Sequence, residues 1–201
     1  MSNLKALVKA DRLASYVRLR GGFPIPLAGA VYWATIGIGG YYLSLIQWLD
    51  LALWGSGLLF PLALLLAKVF RCDFIRDRTS VTDVLLPAFV SMLLFWPMMV
   101  AAVATEPQLS PLILAIGMSL HWPVIGWSYG RTGLYTSHAV VRAVVVSLIW
   151  VVLPESRFTL LPLSVSAIYL ISVAAILVDV HRPRFDALRP EAAAARTRGE
   201  E

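Results

Sequence analysis

Long apolar stretches separated by short polar clusters organise this chain, and their length decides the element type. At a rise of about 1.5 Å per residue, a helix needs about 20 residues to cross about 30 Å of hydrocarbon. Six stretches meet that length: Phe23–Leu45, Leu49–Phe70, Val84–Ala104, Pro111–Tyr129, Leu134–Leu153 and Phe158–Val178. Only Ile46, Gln47 and Trp48 separate the first two. One continuous helix over both would overshoot the bilayer, so a hairpin is predicted there. Pro111 opens its stretch, and Pro24, Pro87 and Pro162 fall in first turns, where a missing amide is harmless. Pro61, Pro97 and Pro123 lie inside their stretches and predict kinks. Ser80-Val81-Thr82-Asp83 has the spacing of a capping box before the third stretch. Trp48, Trp54 and Trp150 are expected in an outer aromatic belt.

The cations orient the stretches. Fifteen of the 17 Lys and Arg lie in the N-terminal segment, around the connections between stretches 2 and 3 and between 4 and 5, or in the C-terminal tail. Arg157 and Arg142 are the exceptions. The positive-inside rule then places both termini in the cytoplasm. The predicted fold is all-α, a polytopic bundle of six transmembrane helices. Residues 1–22 form a basic cytoplasmic leader, either solvated or an interfacial helix on anionic lipid. Residues 23–180 form the membrane domain, and residues 181–201 a cytoplasmic, mostly disordered tail. The run from Phe23 to Leu45 exceeds a signal-peptide core and is expected to stay as the first span.

Composition agrees. Hydrophobic residues make up 59% and charged residues 14%, against roughly 45–50% and 25% in soluble domains. The net charge of +5 follows from cations flanking spans, and no nucleic-acid module accompanies it, so the expected partner is the lipid bilayer. A single cysteine, Cys72, excludes an intrachain disulfide. It is expected to be a bystander thiol, with palmitoylation as the alternative.

Polar side chains inside a span are costly, roughly 2.5–3.5 kcal/mol for a charge at the centre, so they mark candidate chemistry. His121 falls about 15 Å into the fourth stretch, near the midplane, just before Trp122-Pro123. It can relay a proton or hold a substrate, or simply bond to a neighbouring helix. Arg142 and His138 share one face of the fifth stretch at i,i+4 spacing. They form an anion-binding or gating pair on one reading. On the other, which the short distance to the inner surface favours, Arg142 snorkels to the headgroups. Gly37, Gly39, Gly40, Gly55 and Gly57, and the pair Gly126 and Gly130, are expected at close helix contacts. There is no catalytic motif, no metal-ligand spacing and no cofactor fingerprint, so no enzyme is expected.

One set of residues carries a likeness. Leu94-Phe95-Trp96-Pro97, Glu106-Pro107, the run from His121 to Tyr129 (HWPVIGWSY) and Tyr135 resemble a family of uncharacterised small bacterial integral-membrane proteins. The resemblance covers about half the chain. It implies a six-helix fold in the bacterial inner membrane and assigns no activity. The functional expectation is a small transporter or channel-like protein. The alternative is a non-catalytic subunit or scaffold, docking another membrane protein or a second copy through its glycine faces.

Overall fold

The computed structural model describes residues 2–72 and 82–182, and every regular element in them is helical. The capping box expected at Ser80 and the tail beyond Arg182 lie outside these residues. Helix α1 (Ser2–Arg18) precedes the first span, α2 (Pro24–Gly39). The second span is a bent pair, α3 (Leu45–Gly57) and α4 (Leu59–Val69). Then come α5 (Leu85–Leu93) and α6 (Trp96–Thr105), α7 (Ser110–Gly117) and α8 (Trp122–Ser128), α9 (Thr132–Val152) and α10 (Leu160–Val180). Five helical segments are long and apolar enough to cross a membrane, and six when the bent pair counts as one. The protein is a multi-pass membrane protein.

Three prolines explain three interruptions. Pyrrolidine removes an amide and clashes with the carbonyl four residues back, so the break precedes the proline. Helices α3 and α4 meet at 50° around Leu58, three residues before Pro61. Helix α5 ends at Leu93, and α6 restarts with Pro97 in its first turn. Helix α7 ends at Gly117, and α8 restarts with Pro123 in its first turn. Two of these breaks meet: a Cβ on Gly117 would lie 2.3 Å from the Phe95 ring, so only glycine admits that ring.

The first hairpin turns earlier than the apolar pattern suggested. Its turn covers residues 40–44 rather than 46–48, because Ser44 and Gln47 build a full capping box that starts α3 at Leu45. Trp48 is consequently inside the helix and 1% exposed, its indole N–H donating to the Ile36 carbonyl at 2.8 Å. It belongs to the core and not to an aromatic belt. Trp54 projects outward from mid-span, 81% exposed. Trp150 sits near the end of α9, donating to the Gln108 carbonyl and covered by the Arg157 guanidinium.

The core lies between α2, α10, α9 and the α7–α8 pair. Small residues on α2 let α10 close in. A Cβ on Gly29 would come within 2.8 Å of the Tyr169 ring, one on Gly37 within 2.7 Å of Leu163, and one on Gly40 within 2.1 Å of the Phe158 carbonyl. Ser166 Oγ donates across the same seam to the Ala30 carbonyl at 2.8 Å. Apolar side chains on the outer faces, among them Val100, Leu148 and Ile171, remain more than half exposed and face lipid.

Helix α1 is bound to the bundle at its C-terminal end. Ser15, Tyr16, Val17 and Leu19 are buried, whereas Leu7 is exposed. The chain then reverses through Arg20, Gly21 and Gly22, all at positive φ. Gly21 is required twice over, by its φ of 65° and by Ile176, which would lie 2.3 Å from an added Cβ.

Candidate functional site

Two buried polar clusters exist among the described residues, and they differ in kind. The first lies in the middle of the bundle. Arg142 is ten residues into α9, about 15 Å along the helix, and its exposure is 0%. It does not snorkel. Its guanidinium is held between the rings of Trp33 and Tyr169, at 4.9 and 5.1 Å from their centroids. Nη1 donates to the Tyr169 hydroxyl at 2.9 Å. That hydroxyl accepts here, which leaves its own proton for a second partner. Nε and Nη2 have no hydrogen-bond partner.

His138, one turn before Arg142, is 3% exposed and stacks on Trp122 with centroids 3.6 Å apart and planes 12° apart. Its Nδ1 lies 2.8 Å from Ser172 Oγ, and the Ser172 hydroxyl donates to the Ile168 carbonyl at 2.8 Å. Serine has one proton, so Nδ1–H must be the donor to Ser172, and Nε2 is the bare nitrogen of that tautomer. Nε2 has no partner. His121, in the turn between α7 and α8, is 8% exposed, rests on Phe89 at 4.9 Å and also leaves Nδ1 unpartnered. Trp122 links the two imidazoles, its ring 3.6 Å from that of His138 and 6.5 Å from that of His121 between centroids. The three residues singled out in the sequence therefore gather in one region, joined by Trp122, Tyr169 and Trp33. Trp33 Nε1 is a further buried donor without a partner.

The glycines divide. Gly37, Gly39, Gly40 and Gly55 each meet another part of the chain within 3.3 Å of a notional Cβ, whereas Gly57 meets nothing within 4 Å. Gly126 packs on Tyr135 of α9, at 2.6 Å. Gly130 is a turn residue at φ 65°, beside Leu13. Both members of the Gly126–Gly130 pair thus have neighbours within the chain itself. Gly29, which sets the position of Tyr169, escaped notice in the sequence because nothing distinguishes it from other small residues in an apolar run.

The second cluster lies at the end of the bundle where α1 docks. Asp179, near the C-terminus of α10, receives Arg131 Nε at 2.6 Å and the Tyr16 hydroxyl at 3.1 Å, with Arg182 Nη1 at 3.5 Å. Tyr135 donates to the Gly21 carbonyl beside it. Burial first, and then the Asp179 carboxylate, hold the Tyr16 phenol well above its usual range, so it remains a donor. This cluster pairs its arginines with a carboxylate and ties α1 to α10 and to the start of α9. Among the described residues, no three His, Cys, Asp or Glu side chains gather as a metal site would require. A cavity of about 130 Å³ lies at the opposite end, lined by Gly40, Leu43, Leu45, Trp48, Gln108 and Phe158, apart from the polar cluster.

The sequence model of a family of unknown function, DUF7010, matches residues 9–179. The chain belongs to that family. The match runs from the middle of α1 to Asp179 and so takes in both clusters apart from Arg182. No curated protein and no solved structure is similar to it. The likeness seen in the sequence stands as membership of an uncharacterised membrane family, and membership itself assigns no chemistry.

Proposed function

We propose that this DUF7010 protein is a small anion transporter or channel-like protein, not an enzyme. It resides in a bacterial inner membrane with both termini in the cytoplasm. Its binding site is the mid-bundle cluster of Arg142, His138 and His121. The observation that carries this reading is the unpartnered edge of Arg142. A guanidinium withdrawn from water costs several kcal/mol unless it is paired and hydrogen-bonded. No described carboxylate pairs with Arg142, and its one hydrogen bond is to a neutral phenol. Such a group, fully buried at mid-depth with two donor nitrogens unused, is suited to receive an anion. A cation or proton pump would instead place acidic side chains there.

Reconstitution into liposomes tests the reading. The purified protein is expected to carry small anions down their gradient, and Arg142→Gln or His121→Ala in folded protein to abolish the flux. A folded wild-type protein that passes none of a panel of small anions would refute it. Wild-type flux through folded His121→Ala would remove His121 from the path.

A further inference from the structure

Arginine can present its donors in several ways, and one edge of the Arg142 guanidinium has no hydrogen-bond partner. We infer that the anion is a small monocarboxylate, held side-on by the Nε–Nη2 edge of Arg142. This identification rests on the reading of Arg142 as an anion site and deepens it.

Nη1 is engaged by Tyr169. The two unpartnered nitrogens, Nε and Nη2, carry N–H bonds that point in parallel from one edge of the planar guanidinium. Two parallel donors in a fixed plane match the two oxygens of a carboxylate, a pairing that a spherical ion cannot use in full. The rings of Trp33 and Tyr169 lie close against the guanidinium, and an aromatic ring gives a hydrated ion little in exchange for its water. A carboxylate carrying a short apolar group loses less there, because its apolar part gains from the same rings.

Charge argues for a single carboxylate. Arg142 brings one positive charge, and a neutral His138 with its proton on Nδ1 satisfies the Ser172 contact and brings none. A monoanion neutralises the site, whereas sulfate would leave an uncompensated charge in the bundle. The indole N–H of Trp33, whose ring packs against the guanidinium, is a further buried neutral donor without a partner and is available to a carboxylate oxygen's other lone pair.

Binding to the full-length protein in nanodiscs decides the matter, with acetate, propionate, chloride and sulfate titrated separately by calorimetry. Acetate and propionate are expected to bind at least tenfold more tightly than chloride or sulfate. Arg142→Lys keeps the charge and loses the fork, and is expected to lose that preference while still binding chloride. Trp33→Phe keeps the ring and removes one donor, and is expected to weaken acetate by several-fold without a change of fold. Equal affinity of wild-type protein for chloride or sulfate and for acetate would overturn the carboxylate inference and leave the anion reading intact. A preference that survives in Arg142→Lys would overturn the assignment to the Arg142 edge. No binding of any of the four would overturn both this inference and the anion reading.

Discussion

Asp179→Ala tests the account of how α1 is held. The aspartate sits in the last turn of α10, where the helix dipole disfavours a negative charge by about 0.3–1 kcal/mol. Its place there depends on what it binds. The 2.6 Å contact from Arg131 joins side chains 18% and 11% exposed, and a charge-assisted bond of that kind contributes about 1.5–3 kcal/mol. The contact from Arg182, whose side chain is 56% exposed, adds little, about 0–1 kcal/mol after screening. Tyr16 loses its better acceptor but retains the Ile176 carbonyl at 3.5 Å. Its contribution is therefore below the roughly 1 kcal/mol of an ordinary hydrogen bond. With the dipole relief set against these, the net loss is about 2 kcal/mol. Thermal unfolding in detergent is expected to fall by several degrees, and tryptic cleavage in α1 at Lys5, Lys9 or Arg12 to accelerate. A double-mutant cycle with Arg131→Gln isolates the pair. Unchanged melting together with unchanged cleavage, or effects that simply add in the cycle, would refute the reasoning.

Four further substitutions probe other links. Ser44→Ala removes the hydroxyl of the α3 capping box and is expected to cost about 1 kcal/mol, read as a lower melting temperature. Gly40→Ala drives a Cβ to within 2.1 Å of the Phe158 carbonyl and is expected to be strongly destabilising. Gly57→Ala, with nothing within 4 Å, is expected to be neutral or to stabilise by up to about 1 kcal/mol through helix propensity; the two variants are compared by the same melting assay. Gly29→Ala pushes on Tyr169 and is expected to weaken anion binding through Arg142 while the bundle still folds, seen as a loss of affinity in calorimetry without loss of helical signal.

The spans were legible because the bilayer fixes their length, and no other solvent produces that repeat of apolar runs. Their ends were less so. Tyr41, Tyr42 and Leu43 continue the apolar run through what is in fact a turn, and only the Ser44–Gln47 spacing marks where α3 begins. The polar interior was legible by residue type, since His121, His138 and Arg142 each stand out against apolar neighbours. Which way Arg142 points was not legible. A long side chain near mid-span can reach the headgroups or turn inward, and the choice depends on Trp33 and Tyr169, two aromatic residues from other spans that read as ordinary apolar positions. Asp179 was overlooked for a related reason. It falls one residue past the expected end of the sixth stretch, where a charge is unremarkable until Tyr16 and Arg131 are folded against it.

The two buried arginine sites bear on where function lies. Arg131 and Arg142 are only eleven residues apart in the chain, yet their surroundings are opposite. Arg131 has a carboxylate at 2.6 Å and also donates to the Gly130 carbonyl. Arg142 is deeper and fully buried, with a single phenol as partner and two nitrogens unused. Stability alone would favour the opposite distribution, because the penalty for an unpaired charge grows with burial. Replacing Arg142 by an apolar side chain of similar volume, Arg142→Met, is therefore expected to leave the melting temperature unchanged or raise it while removing anion binding. A large loss of stability in Arg142→Met would mean that the guanidinium holds the bundle together, and the anion site would lose its main support.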